Sequence, residues 1–106
     1  MMVHMTQLKP LEPVRYYLPV DDATVLKVLN GLPSGVYASK ALHERYVALA
    51  PPSEVAGMQP ASVQKFGARL RELGFKPVHK HGVRSWVINN RQTLRLVAEL
   101  AEGYQR

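Results

Sequence analysis

The chain has 106 residues, a formal net charge of +6, 46% hydrophobic residues and no cysteine. That length allows one domain with a modest core, and the composition argues against wholesale disorder. Without thiols there are no disulfides, no cysteine-based zinc sites and no cysteine nucleophiles.

Residues 1–20 contain Pro10, Pro13 and Pro19 and show no sustained period. They read as an irregular N-terminal arm, packed if at all through Tyr16, Tyr17 and Leu18, ahead of a single domain over 21–106. Asp21 or Asp22 can cap a helix by accepting from free backbone N–H groups. Val25, Val28, Leu29 and Leu32 then recur at helical spacing, and Asn30-Gly31 supplies a stop, so a first helix is predicted over about 22–31. Gly35-Val36-Tyr37 is a short extended piece. Ser39 is the expected N-cap of a second helix, about 40–50, with Leu42, Tyr46 and Leu49 on one face and Val47 beside it. Pro51-Pro52 ends it, and 51–59 is a loop rich in Pro, Gly and Ser.

Gln59-Pro60 suits the start of a third helix, with Pro60 in its first turn. Val63, Phe66, Leu70 and Leu73 form its apolar stripe, and Gly74 suits the position after its end, which gives a helix over about 60–73. A β-hairpin follows: Phe75–Lys80, a turn at His81-Gly82, then Val83–Ile88. Gly82 provides the positive φ of a tight turn. Pro77 cannot donate to a ladder, so its nitrogen should face an open sheet edge. Asn89 or Asn90 caps a last helix over 91–103. It carries one stripe of Leu94, Val97, Ala98 and Ala101 and a second of Leu96, Leu100 and Tyr104. One stripe should pack on the core. The other either widens the buried face or forms a dimer seam, so a homodimer stays among the expected partners.

The order helix, short strand, helix, helix, hairpin, helix is that of an α+β winged helix-turn-helix: a three-helix core, a β-hairpin wing and an additional C-terminal helix. Phe75 and Trp86 are the large core pieces expected from the hairpin. The 51–59 loop is longer than the 3–4 residues usual between the second and third helices of this motif.

The excess charge sits in one stretch. Residues 1–59 are neutral, and 89–106 carry +1. Residues 60–88 hold Lys65, Arg69, Arg71, Lys76, Lys80 and Arg84 against Glu72 alone, a net +5. A localised basic face is the footprint of a polyanion partner. The wing tip Lys80, His81 and Arg84 is then expected on a phosphate backbone. With its apolar stripe inward, the third helix exposes Ala61, Gln64, Lys65, Ala68, Arg71 and Glu72, flanked by Ser62 and Arg69. Gln64 can pair with adenine and Lys65 with guanine. Ser39 and Lys40 open the second helix, whose N-terminus either offers N–H groups to a phosphate or is simply capped.

"KFGARLRELGF", followed by a basic strand, a glycine turn and "SWVI", resembles the C-terminal winged-helix domain of phage-, plasmid- and poxvirus-type primase-helicases. The resemblance covers roughly 35–88 and rests on Phe66, Leu70, Leu73-Gly74-Phe75, Gly82 and Trp86. It implies binding to a replication origin, with a primase or helicase as partner. The chain has no G-x-x-x-x-G-K-[ST] loop and no room for an ATPase, so helicase or primase activity does not carry over.

Other chemistry finds little support. His79-Lys80-His81 puts two imidazoles at i, i+2, but the hairpin holds no carboxylate and a cationic tip repels metal. As the His-hydrophobic-His motif of rolling-circle nicking enzymes, with Tyr46 or Tyr104 as nucleophile, the triplet has the wrong middle residue. Asp21-Asp22 reads as a cap rather than a two-metal site. No catalytic constellation, metal site or cofactor is expected. The opening residues hold no apolar run of a secretory signal, and no stretch approaches the roughly 20 apolar residues needed to span a bilayer. The expectation is therefore a cytoplasmic protein of a mobile element, not an enzyme and not membrane-bound. It binds double-stranded DNA sequence-specifically at a replication origin. Two alternatives stay open: a winged-helix transcriptional regulator or repressor, and a protein-interaction winged helix whose basic wing docks an acidic partner.

Overall fold

The computed structural model describes residues 16–53, 55 and 57–105. Its elements are β1 (Tyr16–Tyr17), α1 (Asp22–Leu29), β2 (Gly35–Ala38), α2 (Ser39–Leu49), β3 (Met58–Gln59), α3 (Val63–Glu72), β4 (Lys76–Lys80), β5 (Val83–Ile88) and α4 (Asn90–Gln105). Among the described residues these make an α+β fold of four helices with an antiparallel sheet ordered β2-β5-β4. A separate two-stranded parallel pair joins β1 to β3. No helix of the described residues is long and apolar enough to cross a membrane.

The core lies where α1, α2 and α3 meet the sheet. Val25, Val28 and Leu29 from α1, Leu42 and Tyr46 from α2, Phe66 and Leu70 from α3, and Phe75, Trp86 and Ile88 from the hairpin and its approach are all buried. The Tyr46 and Phe66 rings pack with centroids 5.1 Å apart. The Tyr46 hydroxyl accepts from the Asp21 backbone N–H at 3.0 Å, which ties the start of α1 to α2.

Several local readings change. Asp21 stands at the N-cap of α1, but its carboxylate makes no capping bond to a backbone N–H; it accepts from the Thr24 hydroxyl at 2.6 Å. The helix ends at Leu29 rather than 31. Ser39 is the first residue of α2 and not its cap, because its buried hydroxyl is taken up by Trp86. Leu49, expected on the inner face, is exposed. The arm read as irregular to residue 20 forms β1 at Tyr16–Tyr17, and Leu18 N–H donates to Gln59 O at 2.7 Å; its residues 1–15 lie outside those described.

That pairing also delays α3. Met58–Gln59 is committed to β1, so Pro60 precedes the helix, and Ser62 becomes the N-cap, its Oγ accepting from Lys65 N–H at 3.3 Å. Ala61, expected on the exposed face, is buried, and His43 Nε2 donates to its carbonyl at 2.8 Å. Val63, expected inward, is 42% exposed. The far end is as anticipated. Gly74 has φ 97°, its N–H reaches Arg71 O, and Phe75 N–H reaches Leu70 O, the paired closing bonds of a Schellman motif.

In the hairpin, His81 (φ 53°) and Gly82 (φ 77°) both adopt positive φ, as a two-residue mirror-image turn requires. Pro77 lies on β4, which is an edge strand, as its missing donor demands. On α4 the line that packs on the core includes Leu96 together with buried Thr93, whereas Leu94 is 57% exposed. Thr93 was not anticipated, because its hydroxyl makes it look like a surface residue. The hydroxyl is satisfied locally by donating to Asn89 O at 3.3 Å.

Candidate nucleic-acid interface

Val63, Gln64, Gly67, Ala68 and Arg71 recur at i, i+1, i+4, i+5 and i+8, the spacing of one helix face. They form one wall of a groove of about 860 Å³ whose other wall is the hairpin and whose end is the start of α2. The hairpin register sets Pro77 opposite Trp86 and His79 opposite Arg84, so these four side chains share the sheet face turned to the groove. Trp86 is buried at its base, and its indole N–H donates to Ser39 Oγ at 3.3 Å. A glycine at 67 lets that ring lie close to α3: a Cβ there would sit 3.4 Å from Trp86 Cζ2.

The charge of the groove is of one sign. Lys40, Arg71 and Arg84 line it, no carboxylate does, and none of the three makes an ion pair among the described residues. The α2 N-terminus opens here too, with no side chain capping it. A cationic rim over the buried Trp86, with the exposed Val63 and Val83 along the edges, can hold a phosphate-bearing chain by charge while offering apolar contact beside it.

Arg69 belongs elsewhere. Its Nε and Nη2 donate to the two Asp22 carboxylate oxygens at 2.7 and 2.6 Å, and its Nη1 donates to Glu72 at 2.9 Å. The hydrogen bonds from Arg69 hold the Asp22 carboxyl below the usual carboxylate range; partial burial opposes this and the guanidinium charge adds to it. The same bond to Asp22, helped by Glu72 and opposed by burial, holds Arg69 protonated even more firmly than usual. This side chain therefore joins α3 to α1 and is not part of the groove.

The other anticipated residues divide. Lys40, Gln64, Arg71 and Arg84 come together in the groove, with Ser39 in its floor. Ser62 is occupied as a helix cap. Lys65 is exposed but off the groove face, and Lys80 and His81 are exposed at the hairpin turn beyond it. His81 leaves the strand through its positive φ, so it does not continue the face of His79. Among the described residues no cluster of His, Asp and Glu suits a metal ion.

Val63, Gly67, Pro77, Val78, His79 and Val83 line the groove unforeseen, and Trp86 was read only as core. Val63 was lost because its spacing to Phe66 also fits the buried stripe. The hairpin residues were recoverable: a turn at His81-Gly82 fixes His79 opposite Arg84 and Pro77 opposite Trp86 by counting. Comparison of the chain with protein-family models, with curated proteins and with solved structures finds no match.

Proposed function

We propose that the protein is a winged-helix, sequence-specific double-stranded DNA-binding protein, with α3 as the major-groove helix and the β4–β5 hairpin as the wing. The observation that carries this reading is the groove between the two, lined by Lys40, Arg71 and Arg84 and by no carboxylate. A duplex seated against α3 would run one sugar-phosphate strand along that groove, where cations meet phosphates and fix the register. The uncapped α2 N-terminus offers further N–H donors to a phosphate at the same end. The resemblance to the winged-helix domain of primase-helicases supports replication-origin binding as the setting, with a replication primase or helicase as partner.

A mobility-shift titration on mixed-sequence duplex at several salt concentrations tests the reading. Neutralising about 4–6 phosphates should give a log K against log salt slope of roughly −4 to −5. Undetectable binding at low salt, or binding indifferent to salt, rejects DNA as the partner. In that case an acidic protein partner for the basic hairpin becomes the better account.

A further inference from the structure

Val63 is the first residue of α3 and the most apolar side chain on its groove face. It is 42% exposed although it sits one turn from the buried Phe66. Gln64 follows it, also exposed. One turn on, Ala68 is small and Gly67 has no side chain and lies against Trp86, so the next long side chain on this face is Arg71, two turns beyond Val63 and Gln64. The N-terminal residues of a recognition helix are the ones that reach base edges.

Each base pair presents its own chemistry in the major groove. Adenine offers N6–H and N7, which suit a glutamine amide, and thymine offers a 5-methyl group, which suits an apolar side chain. Cytosine offers an N4–H donor, which an acidic side chain accepts, and this face carries no acid. We infer that the first turn of α3 reads an A·T base pair, with Val63 against the thymine methyl and Gln64 on the adenine. The inference rests on the DNA-binding reading above and adds the specificity of that same surface. Val63 is then a specificity residue rather than a core residue. Its partial exposure has a use: an isolated valine is satisfied by one methyl group, while Arg71 and Arg84 supply contacts indifferent to sequence.

The test begins with selection of preferred sites from a random duplex pool by the full chain. Each thymine of the preferred site is then replaced singly by deoxyuridine, which removes the methyl and nothing else. At one A·T pair the wild-type affinity should fall about 3- to 5-fold, the value of one buried methyl group. Val63→Ala should lose that difference, binding the two duplexes equally, and Gln64→Ala should lose about tenfold or more on the preferred site with little change on random DNA. Because Val63 is half-exposed, Val63→Ala should stay folded; its melting curve checks this, and Val63→Thr is a second variant of nearly unchanged shape that keeps one methyl. No binding to any duplex rejects the DNA reading, and the inference with it. A preferred site with no deoxyuridine effect, or with an effect that survives in Val63→Ala, overturns the inference alone; duplex binding with no preferred site overturns it together with the sequence specificity of the DNA reading.

Discussion

Arg69 donates three hydrogen bonds to two carboxylates, one on its own helix at i+3 and one on α1, 47 residues away in sequence. The Asp22 contact is bidentate, the geometry in which a guanidinium pairs most strongly. Both side chains are still about one-third exposed, so the pair is worth only about 0.5–1 kcal/mol after screening by solvent. Its pH dependence has a definite sign. The folded Asp22 carboxyl titrates below its ordinary value, so the stabilisation is full above about pH 4–5 and is lost as pH falls through the carboxylate range and below. Asp22→Asn should therefore unfold at lower urea than wild type at pH 7, and the gap should narrow as pH falls through and below the ordinary carboxylate range. A gap of equal size at pH 7 and below that range would show that the ion pair is not its source. Only half of this arrangement was legible in the sequence. Glu72 lies within a turn of Arg69, but nothing in the local pattern links Arg69 to Asp22, and so the sequence alone places Arg69 beside the exposed cations of the helix.

At the scale of elements, α3 has one end that follows from local sequence and one that does not. Its C-terminus is set by Gly74, by two backbone bonds closing over it, and by burial of both Leu70 and Phe75, all within six residues of chain. The Gln92 side chain from α4 adds a bond to Leu73 O at 3.0 Å. A Cβ at Gly74 would come within 2.8 Å of that amide nitrogen, at a φ that L side chains rarely adopt. Gly74→Ala should therefore cost about 1–2 kcal/mol, read as a lower denaturant midpoint with an unchanged slope. If stability is unchanged, the turn after α3 relaxes more freely than these contacts imply. The N-terminus of α3 depended on a tertiary event. Pairing of Tyr16–Tyr17 with Met58–Gln59 draws the chain away, and two-residue strands paired across 42 positions leave no period to detect. The hairpin, by contrast, was legible down to its register, because one turn fixes every cross-strand pair.

For the whole molecule, the +5 of residues 60–88 is not one uniform face. The fold splits it into one α3 cation, Arg69, held by two acids, two cations, Arg71 and Arg84, that meet Lys40 from α2 around the groove, and others exposed beyond it. The excess is visible along the chain, but its division is not, since that depends on which helix faces and strand faces meet. The split makes a prediction that separates charge from position. Arg84→Ala and Lys40→Ala should each weaken binding to specific and random duplex alike and shallow the salt slope by about one unit. Both side chains are exposed, so melting temperatures should hardly move. Arg69→Ala removes the same formal charge but should leave the salt slope of binding unchanged, while lowering stability by about 0.5–1 kcal/mol through loss of its carboxylate contacts. Salt titrations and melts on the three variants read both quantities. If Arg69→Ala shallows the slope as much as Arg84→Ala does, the Asp22 pair opens on DNA and the groove is not the boundary of the binding surface. If only Arg69→Ala loses stability and only the groove variants lose slope, the fold has assigned Arg69 to holding helices together and Arg84 and Lys40 to the phosphate chain.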